Sequence, residues 1–229
     1  MDAPTNSPFA LSHSVCTFVM TLRPKKMQLL RCLPRGVVFT RAPHVEKSLY
    51  LTFDDGPHPD HTPALLELLR EYGVKATFFL IGREAERYPQ LVERIVEEGH
   101  VLGNHSYSHP MFDALTHTEQ WVEVERTDEV LSSFDGRRHH GFRPPRGVFS
   151  LLLTLRFALS RRQLSYWSYD TLDYQDREPD ELAARLREQP PRAGDVVLMH
   201  DDSDCSRRLL EQLLPEWKEH GFNFRALPA

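Results

Sequence analysis

The 229-residue sequence contains no uninterrupted apolar run near the ~18 residues that span a bilayer, which sets an integral membrane protein aside. It also lacks an excess of positive charge. Twenty-eight Lys and Arg stand against 33 Asp and Glu, a net −5, and a moderately acidic body is a poor tracker of nucleic-acid phosphates. Cysteine is scarce. Cys16, Cys32 and Cys205 are scattered, odd in number and without a C-x-x-C, so neither a disulfide framework nor a zinc-thiolate site is expected, and a reducing compartment is favoured. A secretory leader carries its positive charge ahead of an apolar segment. Here Asp2 comes first and Arg23-Pro24-Lys25-Lys26 follows, so a cytoplasmic location is expected.

What is present is an ordinary globular balance, 40% apolar and 27% charged, with length for one substantial core. The first 26 residues show no sustained hydrophobic period. Residues 1–45 are expected to form an N-terminal extension, partly disordered or loosely packed, and 46–229 a single folded domain. From Ser48 strand and helix patterns alternate. Strands are expected at 48–53, 75–80, 100–103, 164–169, 195–199 and 222–224. Helices are expected from Thr62, with Thr as N-cap and Pro63 at the first helical position, around Pro89 to Gly99, from the Thr116/Glu119 capping box to Phe134, at 150–160, at 179–188 and at 206–220. The last contains Pro215 and is expected to kink there. About seven β/α repeats suggest parallel strands joined by crossover helices, too few residues for a standard eight-fold barrel but enough for a reduced or distorted one.

In such folds chemistry sits where strands end. The first strand runs into Asp54-Asp55-Gly56-Pro57, where two adjacent carboxylates need a cation or an Arg, unless the segment is a solvated turn. The third is followed by His105-Ser106-Tyr107-Ser108-His109, two histidines spaced to share one ion with a carboxylate, or simply surface residues. Two His and one carboxylate would leave open positions for water, as a catalytic rather than a structural site requires. Further along lie Arg143-Pro144-Pro145-Arg146-Gly147, Asp170-Thr171-Leu172-Asp173-Tyr174 and Leu198-Met199-His200-Asp201. A His at a strand exit suits acid–base work if a carboxylate holds its other ring nitrogen. His58 and His61 flank the first motif, with a minor expectation of substrate contact. His139-His140 are read as capping or edging a strand, Cys205 as structural, and Trp121, Trp167 and Trp217 as core rather than a sugar platform.

Taken in order, T-F-D-D-G-P at 52–57, H-S-x-x-H at 105–109, R-x-P-x-G at 143–147, D-x-x-D at 170–173 and L-x-H at 198–200 closely resemble the polysaccharide deacetylase family, carbohydrate esterase family four, over roughly residues 46–227. The resemblance implies a distorted, incomplete (β/α) barrel of about seven strands. It implies metal-dependent removal of N-acetyl groups from amino sugars of a polysaccharide, oligosaccharide or glycolipid precursor. Asp55, His105 and His109 would bind a divalent ion, zinc in the first place, with cobalt, nickel or manganese as other choices. Asp54 would be the general base oriented by Arg143, and His200 the general acid tuned by Asp173. Leu198 would line the acetyl-methyl pocket, and a backbone N–H near Arg146 would face the oxyanion. Pro145, Arg146, Gly147 and Tyr174 complete the expected substrate wall. Related enzymes remove O-acetyl or formyl groups with the same constellation, and an inactive carbohydrate-binding module is the non-enzyme alternative. Two positions depart from the family pattern. Tyr174 stands where Trp is usual. Arg146 stands where an aromatic is usual, and is expected to meet a carboxylate or phosphate on the glycan. The partner implied is an N-acetylated glycan or glycolipid, without nucleic acid, and the oligomeric state is left open.

Overall fold

A computed structural model describes residues 21–43, 46–148 and 150–228. Its first elements are helix α1 (Lys25–Leu30) and strand β1 (Val38–Phe39), followed by β2 (Ser48–Asp54), α2 (Thr62–Glu71) and β3 (Thr77–Leu80). Next come α3 (Gly82–Arg87), α4 (Pro89–Glu97), β4 (Val101–Asn104) and the long α5 (His117–Asp135). The C-terminal part holds α6 (Leu151–Leu159), β5 (Leu164–Ser165), β6 (Tyr169–Asp170), α7 (Pro179–Glu188), β7 (Val196–His200), α8 (Cys205–Glu219) and β8 (Asn223–Phe224).

All paired strands run parallel, in the order β4-β3-β2-β7-β6, with β8 on the start of β2 and β1 beside β5. Bridges Asn104↔Phe142 and Phe142↔Leu164 carry the sheet from β4 round to β5. The result is a curled, incomplete (β/α) barrel in a single domain, with helices outside. Central β2 is buried along nearly its whole length because neighbours flank it and helices cover it, with Leu49, Leu51 and Phe53 on one face alternating with Ser48, Tyr50, Thr52 and Asp54 on the other. Leu49, Leu51, Phe53, Phe78, Val197 and Met199 pack with the inner faces of α2 and α8 in one cluster. Phe79, Phe142, Phe157, Tyr166, Trp167 and Leu198 form a second.

Several expectations shift at the ends of elements. Thr62 is not the N-cap of α2 but its first helical residue, and its hydroxyl donates to buried Asp201 at 2.6 Å. The strand expected at 164–169 is two short strands separated by Tyr166–Ser168, whose polar groups turn inward to neighbouring backbone and Asp195. Helix α8 runs through Pro215 as one element. His140 does not edge a strand: it is buried between Asp128 and Asp135, 3.2 Å from each. The thiols of Cys32 and Cys205 are free, and Cys16 lies outside the described residues.

The expected loose extension divides. Residues 1–20 lie outside the described part, whereas 21–43 pack onto the domain. Leu22 is 1% exposed within the main cluster, and Met27 and Leu30 are buried in the second. Arg23 and Arg41 both reach the fully buried Asp195 carboxylate, and Gly194 N donates to Ser48 O while Ala42 N donates to Gly194 O. A short strand and a helix of six residues carry too little periodicity for this packing to be read from sequence.

Candidate functional site

Strand β2 ends by delivering Asp54 and Asp55 to the same rim where β7 delivers His200. Asp54 and His200 are register partners in the β2–β7 ladder, so the two side chains are set beside each other by backbone hydrogen bonding. β4 delivers His105, and the turn after it brings His109 back over Asp55. The turn is tight enough to force left-handed backbone at Ser106 (φ 68) and His109 (φ 52). Asp55 (φ 76), Arg146 (φ 54) and Leu172 (φ 62) share that conformation. Only one further non-glycine residue with positive φ, Arg161, occurs among the described residues, so backbone strain is gathered at this rim, where side chains must be aimed.

Asp55, His105 and His109 each offer a ligand atom, and these atoms all lie within 4.8 Å of one another. The Nε2 atoms of His105 and His109 are each 3.3 Å from Asp55 Oδ1. That oxygen is buried and has no hydrogen-bond partner, an orphan that a cation would satisfy. His105 Nδ1 lies 2.8 Å from the Arg143 carbonyl, which fixes the tautomer with Nδ1–H donating and leaves the Nε2 lone pair aimed at the cluster. One carboxylate oxygen and two imidazole nitrogens suit zinc and other first-row divalent ions. The residues present therefore fit a metal.

Asp54 is 3% exposed, and Arg143 Nη1 donates to its Oδ1 at 2.6 Å. Arg143 is itself fully buried, held by Thr52 Oγ1, the carbonyls of Ser165 and Tyr166, and the Phe79 ring 4.0 Å away. Its donors are thus spent on a fixed cradle, and the Asp54 carboxylate is pinned by one oxygen. The other, Oδ2, lies 3.8 Å from His105 Nε2 and faces the cluster.

His200 Nδ1 pairs with Asp173 Oδ1 at 2.9 Å, while Asp173 Oδ2 accepts from the His200 backbone N–H and the Ser206 hydroxyl. Burial disfavours charge on His200. The adjacent Asp173 carboxylate, with Asp54 and Asp55 behind it, outweighs that and pushes its pKa up to about 10. For Asp173 burial works against the anion, yet His200 and Ser206 hold its pKa below the usual value.

Asp54, Asp55, His105, His109, Arg146, Gly147, Trp167, Tyr174, Leu198 and His200 line one cavity of about 410 Å³. A neighbouring cavity of about 500 Å³ shares Asp55 and His109 and extends past His58, Arg83, Arg87 and Tyr88, so the two flank the cluster as one groove. Of the expected wall, Pro145 and Leu198 are buried, and the Arg146 guanidinium lies against Met111 Sδ at the exposed rim. Gly147 (φ 60) passes so close to Trp167 that a Cβ would fall 2.5 Å from the indole. Tyr174, 45% exposed, sets its ring edge toward His200 with centroids 5.3 Å apart. Its hydroxyl donates to Asp170 Oδ2 at 3.4 Å. His58 stacks on His61 in the neighbouring cavity.

Ser206 and Trp167 carry no expected role at the site, and Thr52 and Asp170 stand in the quoted motifs without one. Trp167 is core, as expected, yet it also lines the cavity and donates to Asp170 at 3.2 Å. Burial raises the Asp170 pKa to about 7. A Thr inside an apolar strand or a Ser opening a helix carries no signal of its own, because each works through a partner distant in sequence.

Residues 41–160 match the family described as polysaccharide deacetylase. A peptidoglycan-N-acetylglucosamine deacetylase of Bacillus cereus is 36% identical over 193 residues, 82% of this chain and 69% of that protein. A chitooligosaccharide deacetylase of Sinorhizobium fredii is 34% identical, covering 89% of this chain and 98% of that one. Among solved structures, a peptidoglycan N-acetylglucosamine deacetylase superposes with a TM-score of 0.79 at 32% identity, over 84% of this chain and 91% of that chain. A pseudoenzyme of carbohydrate esterase family four from Bacillus anthracis superposes at 0.76 with 27% identity, over 83% and 67%.

Proposed function

Since the chain belongs to the polysaccharide deacetylase family, we propose that it hydrolyses N-acetyl groups from amino sugars of a glycan or glycolipid precursor, with a divalent metal at Asp55, His105 and His109. One observation carries the reading: a pinned carboxylate, a three-residue ligand cluster and a carboxylate-backed imidazole all open on one cavity. A metal held there supplies Lewis acidity, making water a better nucleophile and the acetyl carbonyl a better electrophile. Asp54, fixed through Oδ1 by Arg143, has Oδ2 free to take the proton of the attacking water. The backbone N–H of Arg146 is the donor assigned to the developing oxyanion. His200, protonated and held through Nδ1, presents its other ring nitrogen to the leaving amine, which departs only once protonated. Leu198 and Trp167 offer the apolar wall for the acetyl methyl.

Base and acid therefore differ by environment: Arg143 pairs with Asp54 through Oδ1, and Asp173 favours the His200 cation. O-deacetylation or deformylation would use the same groups. Similarity to a pseudoenzyme makes a binding role the non-enzyme alternative, and the retention of Asp54, the three ligands and His200 together speaks for catalysis.

Mass spectrometry of zinc-, cobalt-, nickel- and manganese-loaded enzyme with N-acetylated, O-acetylated and formylated sugars tests this. Asp54→Asn should still bind metal but lose activity by roughly 10²–10⁴-fold, the usual contribution of a general base. Acyl loss from no sugar, with metal bound, would overturn the enzyme reading. We also assign the Arg146 side chain to an acidic substituent of the substrate. An Arg146→Tyr enzyme with an unchanged preference between acidic and neutral glycans would remove it from that role.

A further inference from the structure

Helix α6 (Leu151–Leu159) is amphipathic in an unusual sense: both of its sides are apolar. Leu153, Thr154 and Phe157 are buried against the second core cluster. Leu151, Leu152, Leu155 and Leu159 are 64%, 57%, 50% and 87% exposed. Their spacing of i, i+1, i+4 and i+8 gathers them within an arc of about 100° on the side opposite the buried one. A side chain exposed to 87% stands proud of the surface rather than lining a groove. Four neighbouring leucines left in water form the kind of contiguous apolar patch that marks an interaction surface.

The charge around this ridge is one-sided. Between Asp135 and Asp170 the chain holds seven arginines and neither Asp nor Glu, in a protein whose net charge is −5. Arg143 and Arg162 are buried and paired with Asp54 and Asp128, while Arg137, Arg138, Arg146, Arg156 and Arg161 are exposed. Arg156 lies over the Trp121 ring at the edge of the leucine face, and Arg161 follows the end of the helix. Arg162 and His139 meet at Asp128, which brings the loop carrying Arg137 and Arg138 to the same end of α6. The acidic groups set against that end are Asp128, already engaged, Asp135, beside Arg137 and His140, and Glu125.

We propose that α6 docks the protein on a lipid surface bearing anionic headgroups, with the four leucines entering the acyl boundary and the arginines meeting the headgroups. Projecting leucines flanked by arginines are the arrangement of an interfacial helix. A second copy of this chain is a poor occupant, because a two-fold contact brings the patch against itself and would set the exposed Arg156 and Arg161 against their own copies. The place of the helix gives the docking a purpose. Arg146 and Gly147 line the site cavity a few residues before α6, and Leu153 and Phe157 share a core cluster with Trp167 and Leu198 of its wall. A docked protein would hold the cavity beside the membrane, within reach of sugars attached to or growing from it. That consequence rests on the proposed function; the docking itself does not.

Flotation of the full chain with vesicles tests it. Vesicles of phosphatidylcholine containing phosphatidylglycerol should carry the protein. Pure phosphatidylcholine vesicles, or high salt, should carry much less. Leu152→Glu/Leu155→Glu/Leu159→Glu should reduce the bound fraction by roughly tenfold or more, and Arg156→Gln/Arg161→Gln by several-fold, in keeping with the loss of apolar insertion and of two headgroup contacts. Both variants should turn over a soluble chitooligosaccharide as the parent does, which separates failure of docking from failure of the hydrolase reading. Absence of flotation with the anionic vesicles, or equal flotation of the leucine variant, overturns the proposal. So does a lipid-free dimer, seen by sedimentation, that the leucine variant dissolves.

Discussion

At the scale of single residues the site is a set of charges whose values are made by their neighbours. His200 illustrates it. An imidazole in water has lost most of its proton at neutral pH, but Asp173, 2.9 Å from Nδ1, holds it in the acid form into the alkaline range. The direction of a prediction follows. In the proposed role of general acid His200 must be protonated, so activity should fall on the alkaline side as its proton leaves. Asp173→Asn removes the largest favourable charge and should move that alkaline limb to lower pH in a kcat/KM profile; an unmoved limb would assign it to another group. Nearly all of these residues stand in the five ordered motifs that resemble the family, and the resemblance supplied their expected roles. Illegible was Ser206, whose hydroxyl completes the hydrogen bonding of Asp173 from elsewhere in the chain, and so was the Arg143 partner of Thr52, though Thr52 opens the first motif. The dual position of Trp167, in the core and on the cavity wall, was equally hidden.

At the scale of elements, the long ones were readable, and of the two-residue strands only β8 was. α5 opens with the capping box expected from Thr116 and Glu119, and α7 spans the residues expected of it, because each shows several turns of periodicity and a start signal. β1, β5 and β6 are two-residue strands whose pairing is decided by what lies beside them. The turn before β7 shows how closely such pieces fit. Gly194 has φ 82, and a Cβ there would fall 2.6 Å from the Ala42 carbonyl oxygen. Gly194→Ala should therefore cost about 1–3 kcal/mol, the usual penalty of forcing extra volume into a packed site, read as a lowered urea midpoint with an unchanged slope.

At the scale of the molecule, the N-terminal segment belongs to the fold. Leu22 lies in the same cluster as β2 and α8 and is 1% exposed. Leu22→Ala should cost about 2–5 kcal/mol in denaturant unfolding, as buried leucines do. A loosely attached extension would show no change. Two arginines from this segment also converge on the buried Asp195 carboxylate at the foot of β7, so the segment secures the strand that carries His200. The β2–β7 ladder that sets Asp54 opposite His200 has one more meaning, which concerns descent rather than turnover. In the proposed mechanism proton acceptor and proton donor are spaced by backbone pairing, while most of the proposed sugar-facing wall, from Arg83 and His58 to Arg146 and Tyr174, is mounted outside the sheet. Mutation can therefore rebuild the reception of a new glycan one surface segment at a time. Such rebuilding would leave the interval between Asp54 and His200 unchanged.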